Sequence, residues 1–353
     1  MTEDTAPLAY LYGKPGATAV IRLQPEDFIV DEVLNFTPSG AGEHILLQIE
    51  KTGQNTQYVA KQLAAQAGVR ARDVSYAGLK DRHAVTRQWF CLKWPIKQEL
   101  PYLHWQLEGC RILQVQRHYR KLRLGALKCN RFSIRLRQVS DTDDVLKRVE
   151  QVRQGVANYY GEQRFGIGGG NLQLAERLFR GESIPDRKLR GLALSASRSF
   201  LFNQVVSARI SQQLFRHILN GDILQLDGSG SVFAVTNSDS TLEQRLAQYD
   251  IHLTGPLAGS GNIMVTGQAA EFEQQVLRPW QHWVNGLINL RVKAERRSMR
   301  LVPQQLVADA DGQDIVLQFA LPVGCFATSI LRELVDYQDQ SRSFAVPAGE
   351  QEL

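Results

Sequence analysis

Strand-like alternation of apolar and polar residues fills the first part of the chain, lapses over a long middle stretch, and returns near the end. That interruption limits the available folds more than any other feature. The early runs are Ala19–Leu23 and Phe28–Leu34 on either side of Pro25, then His44–Glu50, Val85–Leu92, Cys110–Gln116 and Asn130–Arg137. After Pro303 the pattern resumes in Asp314–Leu321. Between them, residues 155–300 favour helical spacing, with one helix starting near Leu172 and another over Ser197–Leu219. Sheet, helix-rich segment, sheet again is the order left by one domain inserted into another. A chain of 353 residues is also long for one hydrophobic core. Strands and helices mixed this irregularly predict an α+β domain on a mixed or largely antiparallel sheet.

Local signals fill in the connections. Asn55 caps a helix with Val59, Leu63 and Ala67 on one face, and Gly68 stops it. Asp141–Asp144 caps another that runs towards Gly155. Asp227–Ser231 and Thr254–Gly261 read as loops. A helix from Thr328 to Tyr337 closes the fold, and the polar tail beyond it is expected to fray.

Several function classes are excluded by what these residues lack. Cys91, Cys110, Cys129 and Cys325 form no C-x-x-C pair, and Cys91 and Cys129 read as small core residues. The seven histidines supply no metal-binding pair, so neither a metal nor a disulfide framework is expected. Phe165–Gly170 fails as a phosphate loop, because Asn171 stands at the last glycine position of G-x-G-x-x-G; it reads as a turn before a helix. The N-terminal Met1–Pro7 has no basic, apolar signal pattern, and no apolar run approaches the roughly 20 residues of a membrane span. The expected location is the cytoplasm.

Charge points to a partner. Between Glu108 and Asp141 no acidic residue occurs, yet Arg111, Arg117, Arg120, Lys121, Arg123, Lys128, Arg131, Arg135 and Arg137 all fall there. A second group, Arg291, Lys293, Arg296, Arg297 and Arg300, is opposed only by Glu295. Cationic stretches interleaved with His118, Tyr119 and Phe132 are the footprint expected for a phosphate backbone. A solvated charged surface is the plainer alternative.

The most chemically loaded run is Tyr76–Phe90, where Gly78 permits a turn and Lys80, Asp81, Arg82 and His83 follow in succession. One carboxylate among cations at a loop-to-strand junction suits a polyanionic substrate; a charged surface turn fits as well. Glu26 and Asp27 offer a second carboxylate pair, but in an extended run they face opposite sides. Phe28 and Phe132 also read as plain core, Asn130 as a turn cap, and Arg22 as a partner of Glu32 or Glu43.

Six separated runs together resemble the TruD family of RNA pseudouridine synthases. They are Gln24–Phe28, Gly78–Gln88, Asn130–Phe132, Asn158–Gly166, Arg198–Asn203 and Leu321–Thr328, in the family's order. The resemblance implies a pseudouridine synthase-like catalytic domain, with flanking helices on a mixed, mainly antiparallel sheet, over residues 1–154 and 304–353. It implies an inserted α+β domain over 155–303. The implied activity is isomerisation of uridine to pseudouridine in tRNA, at position 13 in bacterial members. No cofactor, metal or membrane is involved, and a monomer is expected. Asp81 matches the family's catalytic aspartate; Arg22 stands at the place of a basic residue near it, its charge partner, where relatives often carry lysine, which leaves its role less defined. Phe28, Asn130, Phe132 and Phe326 match positions lining the uridine pocket, and Gln163–Gly166 belongs to the inserted domain beside the RNA. Lys80, Arg82, His83, Arg120, Lys121, Arg123 and Lys128 are expected to face the RNA backbone. A non-catalytic RNA-binding protein, or a nucleoside hydrolase using Asp81 and Glu26, are the alternatives from other classes.

Overall fold

The computed structural model describes residues 7–261 and 264–342. The first six residues of the N-terminal run and the tail beyond Arg342 lie outside the described residues. Two compact units emerge. A sheet unit comprises Pro15–Arg153, Pro303–Ala327 and the chain from Leu334 onward. A helical unit comprises the segment up to Lys14, Gln154–Val302 and Thr328–Glu333. The allocation of the segment up to Lys14 differs from a division made only at 154/155 and 303/304, for a physical reason. Ala9 N–H donates to Ser207 Oγ, the N–H groups of Leu11 and Tyr12 donate to the buried Glu333 carboxylate, and Arg332 donates to the Leu8 and Ala9 carbonyls.

In the sheet unit, seven strands lie in the order Gln304–Asp311, Asp314–Pro322, Leu127–Leu136, Phe28–Leu34, Val85–Lys93, His44–Thr52 and Cys110–His118; Ser75–Tyr76 adds an eighth beside Val85–Lys93. Every pairing is antiparallel except Phe28–Leu34 with Val85–Lys93. The mixed, mainly antiparallel sheet is therefore as expected. One face is covered by the helix Thr56–Ala67. Asn55 Oδ1 accepts from Tyr58 N–H at its start, and Gly68, at φ 65°, ends it in the left-handed region that glycine tolerates. Val59 and Leu63 pack on Ile45, Leu47, Ile49, Phe90 and Leu92. Burial of each large aliphatic contributes about 1.5–3 kcal/mol. Cys91 and Cys129 are buried, as core residues should be.

Strand Gln304–Asp311 had no clear sequence signal. Its buried positions are few, because it is an edge strand with one neighbour. The closing helix spans Ala327–Leu334 and stops short of Tyr337. Asp336–Asp339, expected as the end of that helix and the start of a frayed tail, instead forms a strand that pairs in parallel with Thr18–Ile21, placing Asp339 beside Ile21.

The helical unit also contains a four-stranded sheet, in the order Val232–Ala234, Ile223–Leu226, Ile251–Leu257 and Glu295–Ser298. Thr254–Leu257, expected as loop, is thus strand. The long helix covers Arg187–Ser211 rather than Ser197–Leu219. It starts early because Asp186 Oδ1 accepts from the N–H groups of Lys188 and Leu189. It stops early because Gln213 takes φ 59°, so Leu214 and Phe215 leave the helix. Turns at Glu162–Phe165 and Ile167–Gly169 precede the helix Gly170–Phe179.

Candidate active site

Asp81 sits in the connection between Ser75–Tyr76 and Val85–Lys93, and its turn is anchored from several sides. Lys80 N–H donates to Thr56 Oγ1, which donates to Gln88 Oε1 inside the sheet unit; Gln88 Nε2 in turn donates to the Gly78 carbonyl. Lys80 Nζ meets the fully buried Glu32 carboxylate at 2.5 Å, while the other Glu32 oxygen accepts from Trp89 N–H. Gly78 lies close against this pair. Its φ is not positive; a Cβ there would come within 3.2 Å of Lys80 Nζ. Arg82 Nε donates to the Gly53 carbonyl, and His83 N–H donates to Asp81 Oδ1.

Lys80 therefore departs from its expected place at an RNA backbone. Its ammonium is only 10% exposed and is used to neutralise Glu32, which Phe28–Leu34 delivers to the buried face along with Phe28 and Val30. Arg82 spends a donor on the protein backbone, and His83 is half-buried.

The Asp81 side chain keeps 21% exposure and is met by Arg22, whose Nη2 lies 3.1 Å from Oδ2. Arg22 is buried and contacts neither Glu32 nor Glu43, the partners its sequence position allowed. Its other terminal nitrogen, Nη1, meets Asp339 Oδ2 at 2.6 Å. Its guanidinium carbon lies 4.2 Å from the Phe28 ring centroid. From there aromatic contacts continue: Phe28 meets Phe132 edge-on at 6.2 Å, and Phe132 stacks on Phe319 at 5.3 Å. Asn130 lies on the same strand two residues before Phe132, opposite Glu32 in register. Its Oδ1 is buried and has no hydrogen-bond partner. An amide oxygen withdrawn from water without a donor costs about 1–3 kcal/mol, so a ligand N–H would be favoured there. Asp81, Arg22, Phe28, Asn130 and Phe132 are thus linked in one unit. Phe326 is half-buried in the segment between Asp314–Pro322 and Ala327–Leu334.

Sequence reasoning missed two residues that contact this pair, one at Arg22 and one at Asp81. Asp339 has no local signal. Lys51 does: it continues the apolar register of Ile45, Leu47 and Ile49, so its amine had to enter the interior. Lys51 Nζ donates to the Asp81 carbonyl at 2.6 Å. Burial pushes its pKa down to about 8, against the opposing pull of the Asp81 charge. The Glu26–Asp27 pair occupies a 3₁₀ turn rather than an extended run, and Asp27 is buried against Arg137 at 2.7 Å.

The two basic stretches have different fates. In the first, Arg111, Arg135 and Arg137 pair with carboxylates, and Arg117 donates to the Gly42, Pro95 and Gln98 carbonyls. Arg120, Lys121, Arg123, Lys128 and Arg131 are exposed and make no ion pair among the described residues. This cationic loop adjoins the Asp81 turn, since Gly125 N–H donates to the Ala77 carbonyl. In the second stretch Arg291 and Lys293 are exposed, while the other three cations are engaged within the helical unit. Arg296 pairs with Glu273, Arg297 lies over Tyr160, and Arg300 lies over Tyr249. In that unit, Gln163–Gly166 forms the turn where Arg164 donates to Ser195 Oγ. Two cavities in that unit, of about 350 and 280 Å³, have no member of the Asp81 group in their walls.

The family model for tRNA pseudouridine synthase D (TruD) matches residues 7–184 and 182–334. A tRNA pseudouridine synthase D from Pseudoalteromonas translucida is 48% identical over 335 residues, 95% of each chain. One from Aeromonas hydrophila is 46% identical over 338 residues, 96% of each. A solved structure from Methanosarcina mazei carrying the same family name superposes with a TM-score of 0.72 at 20% identity, over 93% of this chain and 95% of its own, a likeness of fold. The chain belongs to the TruD family of tRNA pseudouridine synthases.

Proposed function

We propose that this chain isomerises uridine to pseudouridine in tRNA, at position 13, with Asp81 as the essential carboxylate. The observation that carries this reading is the Asp81 side chain, partly open to solvent on an otherwise immobilised turn, ion-paired to a buried Arg22 within a chain of aromatic rings. Family membership supports the substrate class.

The chemistry needs few groups. The N1–C1′ bond of uridine breaks, the base turns, C5 joins C1′, and the C5 proton leaves as N1 gains one. Atoms and electrons balance within one nucleotide. A carboxylate acts at the sugar or base and assists removal of the C5 proton. Arg22 compensates the charge of Asp81. The target base leaves its stack at a cost of a few kcal/mol. Stacking on Phe132 or Phe326 returns about 1–3 kcal/mol per base. Asn130 Oδ1 accepts from uracil N3–H. Arg120, Lys121, Arg123 and Lys128 bind phosphates and confer salt dependence rather than base identity.

The test is tritium release from tRNA labelled at uracil C5, with carbodiimide mapping of the product position. Wild type releases tritium and marks position 13; Asp81→Asn does neither. Normal release from Asp81→Asn removes the carboxylate from the mechanism. Free uracil in place of pseudouridine identifies a hydrolase, and tRNA binding with no product at all identifies a non-catalytic binder.

A further inference from the structure

One guanidinium serves two carboxylates at this site. Arg22 gives Nη2 to Asp81 and Nη1 to Asp339, and the Asp339 contact is the shorter of the two, 2.6 Å against 3.1 Å. Asp339 is also the more buried carboxylate, at 11% exposure. An arginine beside a lone carboxylate favours the bidentate fork, with two nitrogens on two oxygens. Arg22 does not form the end-on Nη1/Nη2 fork with Asp81, because Nη1 is already held by Asp339.

Asp339 is well fixed for this work. Its Oδ1 accepts from both the N–H and the Oγ of Ser341, at 3.1 and 2.7 Å. Its backbone is registered to Ile21, the residue before Arg22, by the parallel pairing of Asp336–Asp339 with Thr18–Ile21. Arg22 itself has φ 55°, a left-handed backbone that costs a non-glycine residue about 1–2 kcal/mol. This conformation directs its side chain inward, where Phe28 lies under the guanidinium.

We propose that Asp339 is a positioning residue for pseudouridine formation: it holds one nitrogen of Arg22 so that the other meets Asp81 through a single contact. Without it, Arg22 swings into a fork on Asp81, engages both oxygens, and draws the carboxylate away from its working geometry. Lys51 does not substitute, because its ammonium is bonded to the Asp81 backbone carbonyl. The inference rests on the reading of Asp81 as the essential carboxylate, and the experiment separates the two.

Single-turnover conversion and tRNA affinity are measured on the full chain for Asp81→Asn, Asp339→Asn, Arg22→Lys and the double variant Arg22→Lys/Asp339→Asn. Asp339→Asn is expected to slow conversion about 10–100-fold, with tRNA affinity within about twofold of wild type. Lysine is a point charge that cannot form the fork. In the Arg22→Lys background, Asp339→Asn is therefore expected to cost less than about threefold more. A wild-type rate in Asp339→Asn, or an equal loss in both backgrounds, overturns the proposal. Should Asp339→Asn fail to fold, Asp339→Glu carries the test. The longer carboxylate shifts Nη1 and slows conversion several-fold at an unchanged melting temperature; a normally melting Glu variant at the wild-type rate overturns the proposal. An active Asp81→Asn would instead sink the underlying reading, whatever Asp339 does.

Discussion

Two arginine–aspartate pairs, one in each unit, use the same chemistry for different ends. Arg209 Nη2 meets Asp222 Oδ1 at 2.5 Å in the helical unit, with both side chains essentially excluded from solvent. The second Asp222 oxygen accepts from Leu219 N–H, Arg209 Nη1 donates to the His217 carbonyl, and the guanidinium lies over Phe272. That pair closes a turn. In the sheet unit, Arg22 is almost as deeply buried but divides its terminal nitrogens between Asp81 and Asp339, and Asp81 reaches solvent. Each guanidinium leaves a buried Nε without a partner, so that atom does not distinguish them. The difference lies in how the guanidinium is shared and in which carboxylate remains open.

The comparison breaks most sharply at Asp81. Asp81→Asn is expected to reduce tritium release by about 10³–10⁴-fold while the urea midpoint stays near wild type. A large shift of the midpoint would make the two pairs alike. Asp222→Asn should do the opposite. Stranding Arg209 in the interior is expected to cost about 3–5 kcal/mol in urea unfolding, with near-normal turnover by the molecules that remain folded. If turnover collapses at unchanged stability, the structural role assigned to that pair is wrong.

Lys51 sharpens the contrast through pH. Its pKa is about 8 in the folded protein, lowered by burial, and about 10.5 in the unfolded chain. Between these values the unfolded state binds more protons, so the Lys51 contribution to stability rises with pH across that window, by about 3 kcal/mol. It is at its least favourable below pH 8. Unfolding titrations should show this rise in wild type and not in Lys51→Met; identical profiles would place the ammonium in a wetter setting.

The smallest effects belong to the surface. Arg123→Ala or Lys128→Ala should weaken tRNA binding uniformly and reduce the log–log salt slope by about one each. Arg296→Ala should instead lower stability by unpairing Glu273 and leave the salt slope unchanged. Equal slopes for all three variants would erase the distinction between exposed and internal cations.

Most strands were legible because one face of each is buried and the other is not, as in Phe132, Ile134 and Leu136 against their neighbours. Helix boundaries were harder. The first turn of Arg187–Ser211 carries Arg187, Lys188 and Arg190, so its apolar face begins late. Asp336–Asp339 reads as helix end and polar tail because its partner strand lies more than 300 residues away, outside any local pattern. The basic stretches were legible only in part, because charge counts do not say which cations are already paired. Within the site, strand register carried an unread signal that Lys51 and Glu32 point inward, where each requires a partner. The link from Asp81 to Arg22 came only through family likeness, since no spacing rule connects positions 22 and 81.

The parallel pairing of Thr18–Ile21 with Asp336–Asp339 also sets a timetable for synthesis. The Asp81 turn leaves the ribosome well before the strand that registers beside Ile21. At 5–20 residues per second, about 13–50 s separates the translation of Asp81 from that of Asp339. Through that interval a nascent chain carries Arg22 and Asp81 but not Asp339, the carboxylate that meets Nη1 of Arg22.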